Sequence, residues 1–126
     1  MAVANLNGEV LEINSNNDSI IIVKDNGDVA GGRTLDLSAW DENTVAGGHV
    51  IIKTSAGEYA PLGVSEGSYV SIPTGASVIG ILKVTVTKAN PQAAILVAGV
   101  VNEAALPYAL TATIKSKMTA IAFINK

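Results

Sequence analysis

Apolar runs in this chain are short, and glycine- or polar-rich breaks separate them roughly every ten residues, a spacing that favours strands over helices. Residues 9–13 and 19–24 are β-rich runs flanking the polar stretch Asn14-Ser15-Asn16-Asn17-Asp18, which reads as a hairpin. The second run contains Ile20-Ile21-Ile22-Val23, β-branched and continuously apolar, the pattern of a strand covered on both faces. Asp25-Asn26-Gly27-Asp28 then predicts a tight turn, because Asn and Gly tolerate positive φ. Gly31-Gly32 loosens the chain before Thr34-Leu35-Asp36-Leu37, and Trp40 follows.

From Val45 the breaks become dense: Gly47-Gly48, Ser55-Ala56-Gly57, Ser65-Glu66-Gly67 and Pro73-Thr74-Gly75. Short strands at this interval predict an all-β sandwich or barrel-like domain. Residues 79–88 alternate most clearly, with Leu82, Val84 and Val86 on one face and Lys83, Thr85 and Thr87 on the other, which predicts one half-buried strand. Residues 93–101 are its expected partner, joined through Ala89-Asn90-Pro91-Gln92. Near the C-terminus the period changes. Leu106, Leu110, Ile114 and Met118 recur every fourth residue and predict a helix with one apolar face, Pro107 suiting its first turn. Residues 119–124 return to a strand pattern. The expected fold class is therefore mainly β, a small single domain over residues 1–126 with one short C-terminal helix and no repeat or linker.

Composition changes this picture in one respect. Hydrophobic residues make up 48 % of the 126 positions but charged residues only 15 %, against about 25 % in an average soluble domain. Mean hydropathy is +0.39, yet the most apolar stretch, residues 93–101, is interrupted by Gly99 and falls far short of the about 20 residues of a membrane-spanning helix. A chain with so little charge is expected to bury apolar surface against other subunits. Net charge is −3, and no dense basic face of the kind that binds nucleic acid is visible; Lys115 and Lys117 are the closest basic pair. No signal-peptide pattern follows Met1, and there is no cysteine for a disulfide or thiolate site.

Catalytic chemistry finds few candidates. His49 is the only histidine; it precedes Val50-Ile51-Ile52 and reads as a strand-edge residue, since no Gly-x-Ser-x-Gly elbow offers it a nucleophile. Asp25-Asn26-Gly27-Asp28 carries part of a calcium-loop pattern without the glutamate at position twelve. The chain is expected to be non-enzymatic, with no cofactor and no metal.

Four segments carry a resemblance. Ala94-Ile95-Leu96-Val97-Ala98-Gly99-Val100-Val101-Asn102-Glu103-Ala104-Ala105-Leu106 resembles the apolar strand, Gly-x-x-Asn-Glu-Ala-like segment and short helix of lambda-type phage head-decoration proteins. Val45-Ala46-Gly47-Gly48-His49-Val50, Gly57-Glu58-Tyr59-Ala60-Pro61-Leu62 and Gly80-Ile81-Leu82 are similar to further elements of that family, in the same order. Phage head-fibre proteins, whose capsid-binding base carries the same type of sequence, are resembled equally. The likeness covers about residues 43–126; residues 1–42, read as an N-terminal β hairpin and arm region, lie outside it. It implies a β-clip-like homotrimer made in a bacterial host's cytoplasm. In the virion it would sit on the capsid's outer face, bind the major capsid protein and stabilise the shell, without nucleic-acid or membrane contact. Candidate capsid or trimer contacts are Trp40, Tyr59, Asn102, Glu103, Pro107 and Tyr108. Asn102 and Glu103 carry a second reading, as helix cap and first-turn acid. The alternative function is a tail or fibre adhesion module that binds host-surface glycans.

Overall fold

The computed structural model describes residues 21–29, 32–38 and 40–124, and within them the chain is mainly β, as expected. The predicted strand at 9–13, the loop at 14–18 and the first residues of the run at 19–24 lie outside the described residues. The central sheet is built on one long strand, β11 (Ile95–Asn102). On one side β11 pairs antiparallel with β1 (Ile22–Asp28). Its other side is shared: β8 (Ser77–Leu82) takes Ile95 and Leu96, while β12 (Ile121–Ile124) takes residues 99–102 in parallel. β8 continues the sheet to β4 (Val50–Lys53) and β5 (Tyr59–Pro61), all antiparallel. Three two-stranded ladders flank it: β2 (Arg33–Thr34) with β10 (Gln92–Ala93), β3 (Thr44–Val45) with β9 (Val86–Thr87), and β6 (Val64–Ser65) with β7 (Ser68–Tyr69).

Successive side chains of a strand point to opposite faces, so a strand apolar at every position must be covered twice. The central strands meet that demand. Val50, Ile52, Ile81, Leu96 and Val101 enter one core, closed by Leu62, Tyr69 and the C-terminal residues Ala105, Leu110, Ile114 and Met118. Ile51, Leu82 and Ile95 enter a second core, closed by Leu35, Leu37, Val45, Val86 and Ala93.

Several sequence expectations are corrected. Of the run Ile20-Ile21-Ile22-Val23, Ile21 is helical and buried, and Ile22 and Val23 begin β1, which among the described residues pairs only with β11. Val23 is 44 % exposed, so the run is not a strand covered on both faces. Asp25-Asn26-Gly27-Asp28 forms no hairpin turn; it lies within β1, where register shifts on both sides of Gly27 mark bulges. The turn chemistry is real but local: the Gly27 amide donates to Asp25 Oδ1 at 3.1 Å. Residues 79–88 are two strands, not one. β8 ends at Leu82 and the chain leaves the sheet with Val84 exposed, so that Val86 can cap the second core from the β3–β9 ladder. The expected pairing of residues 93–101 with β8 holds only at Ile95 and Leu96; Ala93 pairs with Arg33 in the β2–β10 ladder.

The C-terminal helix is shorter than its period suggested. Leu106 has φ −72° and ψ 146°, the extended geometry that a following proline imposes, and Pro107 therefore separates a 3₁₀ turn (Glu103–Ala105) from α1 (Ala112–Ser116) rather than starting a helix. Asn102 caps the turn through the Ala104 amide, and Thr111 Oγ1 accepts from the Ile114 amide at 3.2 Å to cap α1. The every-fourth-residue positions nevertheless face inward: Leu110, Ile114 and Met118 are buried and Leu106 is half-buried.

Two predictions follow from this packing. Leu110→Ala and Ile114→Ala should each cost about 2–5 kcal/mol in chemical denaturation, whereas Lys115→Ala, which breaks a 3.0 Å surface pair with Glu103, should cost less than about 1 kcal/mol. Unchanged stability in the first two would contradict their place in the core. Glycine substitutions should divide equally sharply. A Cβ at Gly80 would be driven into the Leu96 carbonyl oxygen, and one at Gly99 (φ +150°) into that of Lys24. Gly80→Ala and Gly99→Ala should therefore lose at least about 2 kcal/mol. Gly57→Ala and Gly67→Ala have open space around them and should lose only about 1 kcal/mol, from positive φ alone.

Candidate functional site

The five aromatic residues of the chain are not spread evenly. Three of them surround the single histidine. His49 lies just before β4 and is 1 % exposed. Its ring meets Trp40 edge-on at 5.0 Å, Tyr69 at 5.1 Å and Tyr108 at 5.7 Å, and the two tyrosines meet each other at 5.4 Å. A carbonyl can only accept, so the 2.7 Å contact with the Leu62 oxygen fixes the proton on Nε2, which donates. Burial drives the imidazole pKa down from 6.5 to about 4, with the Leu62 hydrogen bond opposing the shift, so the ring is neutral at pH 7. Tyr69 lies beneath the same cluster. Its hydroxyl oxygen accepts from the Val50 amide at 3.1 Å, and burial holds its pKa well above the usual phenol value.

This cluster joins the two cores: Trp40 packs on the second, Tyr69 and Tyr108 on the first. Gly48 makes the approach possible. It has φ +94°, and a Cβ there would collide with Pro107 Cδ, so the backbone before His49 lies flush against the Leu106-Pro107 bend. On the outer side of the cluster opens a cleft of about 180 Å³, lined by Trp40, Asp41, Glu42, Gly63, Val64 and Tyr108. Trp40 is held by its indole N–H, which donates to the Thr44 carbonyl at 2.9 Å.

Of the six expected contact residues, the structure brings Trp40 and Tyr108 into one cleft, while Pro107 packs against Gly48 and does not line it. Tyr59, Asn102 and Glu103 are not among the residues that line it. Tyr59 stands on β5 with the cations of Arg33 and Lys53 over its ring, at 5.6 and 5.8 Å. Asn102 is buried and serves as the cap described above, and Glu103 is paired with Lys115. Asp41, Glu42, Gly63 and Val64 were missed as site residues, and so was the role of His49 as the centre of an aromatic cluster. The adjacency of two carboxylates to the only tryptophan was the available signal; the contribution of residues 63 and 64 depends on tertiary contact alone.

Elsewhere, the partial calcium pattern on β1 has a different use. Asp25 and Asp28 both bind Lys83 Nζ, the latter at 2.8 Å, pinning β1 to the end of β8. Hydrogen bonding to Lys83 lowers the pKa of Asp25, and that to Asp25 raises the pKa of Lys83. Among the described residues no three His, Cys, Asp or Glu side chains are grouped so as to hold a metal ion, and no helix is long and apolar enough to cross a membrane. Comparison with protein-family models, with curated proteins and with solved structures finds no match for this chain.

The neutral histidine predicts a pH response. Its folded pKa lies below its unfolded value, so as pH falls from about 6.5 to 4 the unfolded chain takes up the proton first and stability drops. The full loss, about 3 kcal/mol, is reached near pH 4. Thermal melting across this range should show the decline in the native chain, whereas a His49→Gln variant, less stable at pH 7, should be nearly flat between pH 7 and 5. Parallel curves would refute the assignment.

Proposed function

We propose that this chain is a structural virion protein that binds the outer surface of a phage capsid as a trimer and stabilises the assembled shell. The observation that carries this reading is spatial. The four segments that resemble head-decoration proteins are far apart in sequence, yet each includes or adjoins a strand of one continuous sheet: β4 follows the first, β5 lies in the second, β8 in the third and β11 in the fourth. Such contiguity is what a shared core would give. The low charge content supports the same reading, since an oligomer mounted on a shell buries surface that a free monomer must keep in water.

The mechanism is linkage. A protein that binds the expanded shell and not free coat subunits lowers the free energy of the assembled state by its own binding free energy. Three attachment points on one trimer convert modest single contacts into strong retention.

Mixed with expanded phage heads that lack it, the chain should co-sediment with them, raise the temperature at which they rupture and leave unassembled coat subunits unbound. Sedimentation equilibrium at tens of micromolar should give about three times the 12.8 kDa chain mass. Failure to bind expanded heads, or equal binding to free coat subunits, would overturn the proposal.

A further inference from the structure

The cleft beside His49 has the makings of a receptor for one positively charged side chain. Two of its walls are aromatic, Trp40 and Tyr108, and two of its lining residues are the carboxylates Asp41 and Glu42. Among the described residues neither carboxylate forms an ion pair and no cation of the chain itself lies over either ring. Tyr59 provides the contrast, because Arg33 and Lys53 already lie over its ring. The imidazole behind the cleft is neutral and its N–H is committed to Leu62, so it contributes no opposing charge. The rings are also placed in advance: Trp40 by its bond to Thr44, Tyr108 by His49 and Tyr69.

Size narrows the ligand further. At about 180 Å³ the cleft is smaller than the roughly 300–1,000 Å³ of pockets that enclose whole small molecules or cofactors, and it suits a single inserted side chain. Aromatic faces attract cations through the ring quadrupole, and guanidinium adds planar stacking and paired hydrogen bonds to carboxylates that an ammonium group cannot match.

We propose that the Trp40–Tyr108 cleft receives a basic side chain of a protein partner, arginine in preference to lysine, with Asp41 and Glu42 as its counter-ions. The choice of a coat subunit as that partner rests on the function proposed above; the chemistry of the cleft does not. Glycan binding, the other ligand class suited to exposed aromatics, is less well served. The indole N–H is already used by Thr44, and the volume leaves little room for an oligosaccharide.

Trp40 is the only tryptophan, so intrinsic fluorescence reads the cleft directly. The native chain is titrated with capped glycine pentapeptides carrying one central arginine, lysine or citrulline, with a neutral trisaccharide in a fourth arm. The arginine peptide should give a saturable change in the millimolar range, the affinity expected of one side chain. Lysine should bind more weakly, and citrulline, equal in shape but uncharged, at least about tenfold more weakly. An Asp41→Asn/Glu42→Gln double variant, both positions being exposed, should keep its melting temperature, lose about tenfold in arginine affinity and lose most of the salt dependence. Equal responses to arginine and citrulline, no response to arginine, or a saturable response to the trisaccharide alone would each overturn the proposal. The citrulline arm decides even if the double variant folds poorly. Capsid co-sedimentation keeps the two proposals apart. If the native chain binds heads but responds equally to arginine and citrulline, the cleft proposal fails and the capsid reading stands. If the native chain ignores heads but titrates arginine as described, the capsid reading fails and the cleft remains.

Discussion

Everything in this fold depends on a sheet that must be dry on both faces. The alternation Val50-Ile51-Ile52 sends neighbouring side chains into different cores, as do Ile81-Leu82 and Ile95-Leu96. No strand in this set can be satisfied by one layer of cover. The chain therefore spends its remaining length on two lids: the C-terminal turn and helix over one face, and the small ladders of β2, β3, β9 and β10 over the other. His49 matters because it stands where the lids meet. A buried polar ring is tolerable there only because its N–H finds the Leu62 carbonyl and its faces and edges find three aromatic rings.

That arrangement explains why so much of the sheet was legible in the sequence and so little of the site. Apolar runs bounded by glycine mark strands whatever their partners, so β4, β11 and β12 fall close to where the pattern placed them, whereas the single strand expected over residues 79–88 divides into β8 and β9. The burial of Leu110, Ile114 and Met118 was also readable, because a period of four brings residues to one side of a short helix and of the turns around it. The length of the helix was not, since the restriction that Pro107 places on Leu106 outweighed the periodicity. Asn26-Gly27 misled for a related reason. The same freedom that closes a hairpin also forms a bulge, and only the partner strand decides between them.

The cleft was legible only in fragments. Trp40 and Tyr108 stood out as aromatics in a chain with few, but nothing in one dimension says that residues 40–42, 63–64 and 108 share a surface. Their meeting depends on Gly48, where the lack of a Cβ lets the Leu106-Pro107 bend close over the loop before β4. The sequence showed the glycine and not its neighbour.

The shared edge of β11 bears on how the chain is made. β11 draws its partners from the start of the described chain, its middle and its last strand, and residues 99–102 lack their parallel neighbour until residues 121–124 have been added. Pairings so distant in sequence are slow to form, because each closes a long loop before any contact rewards it. During synthesis the most apolar strand of the protein thus leaves the ribosome with an open edge, the state in which β proteins are most prone to pair with the wrong chain. Sparse charge worsens that exposure, and the bulged, lysine-clamped β1 on the opposite side limits it to one edge. A chain that lacked residues 121–124 would accordingly keep residues 99–102 as an open apolar edge.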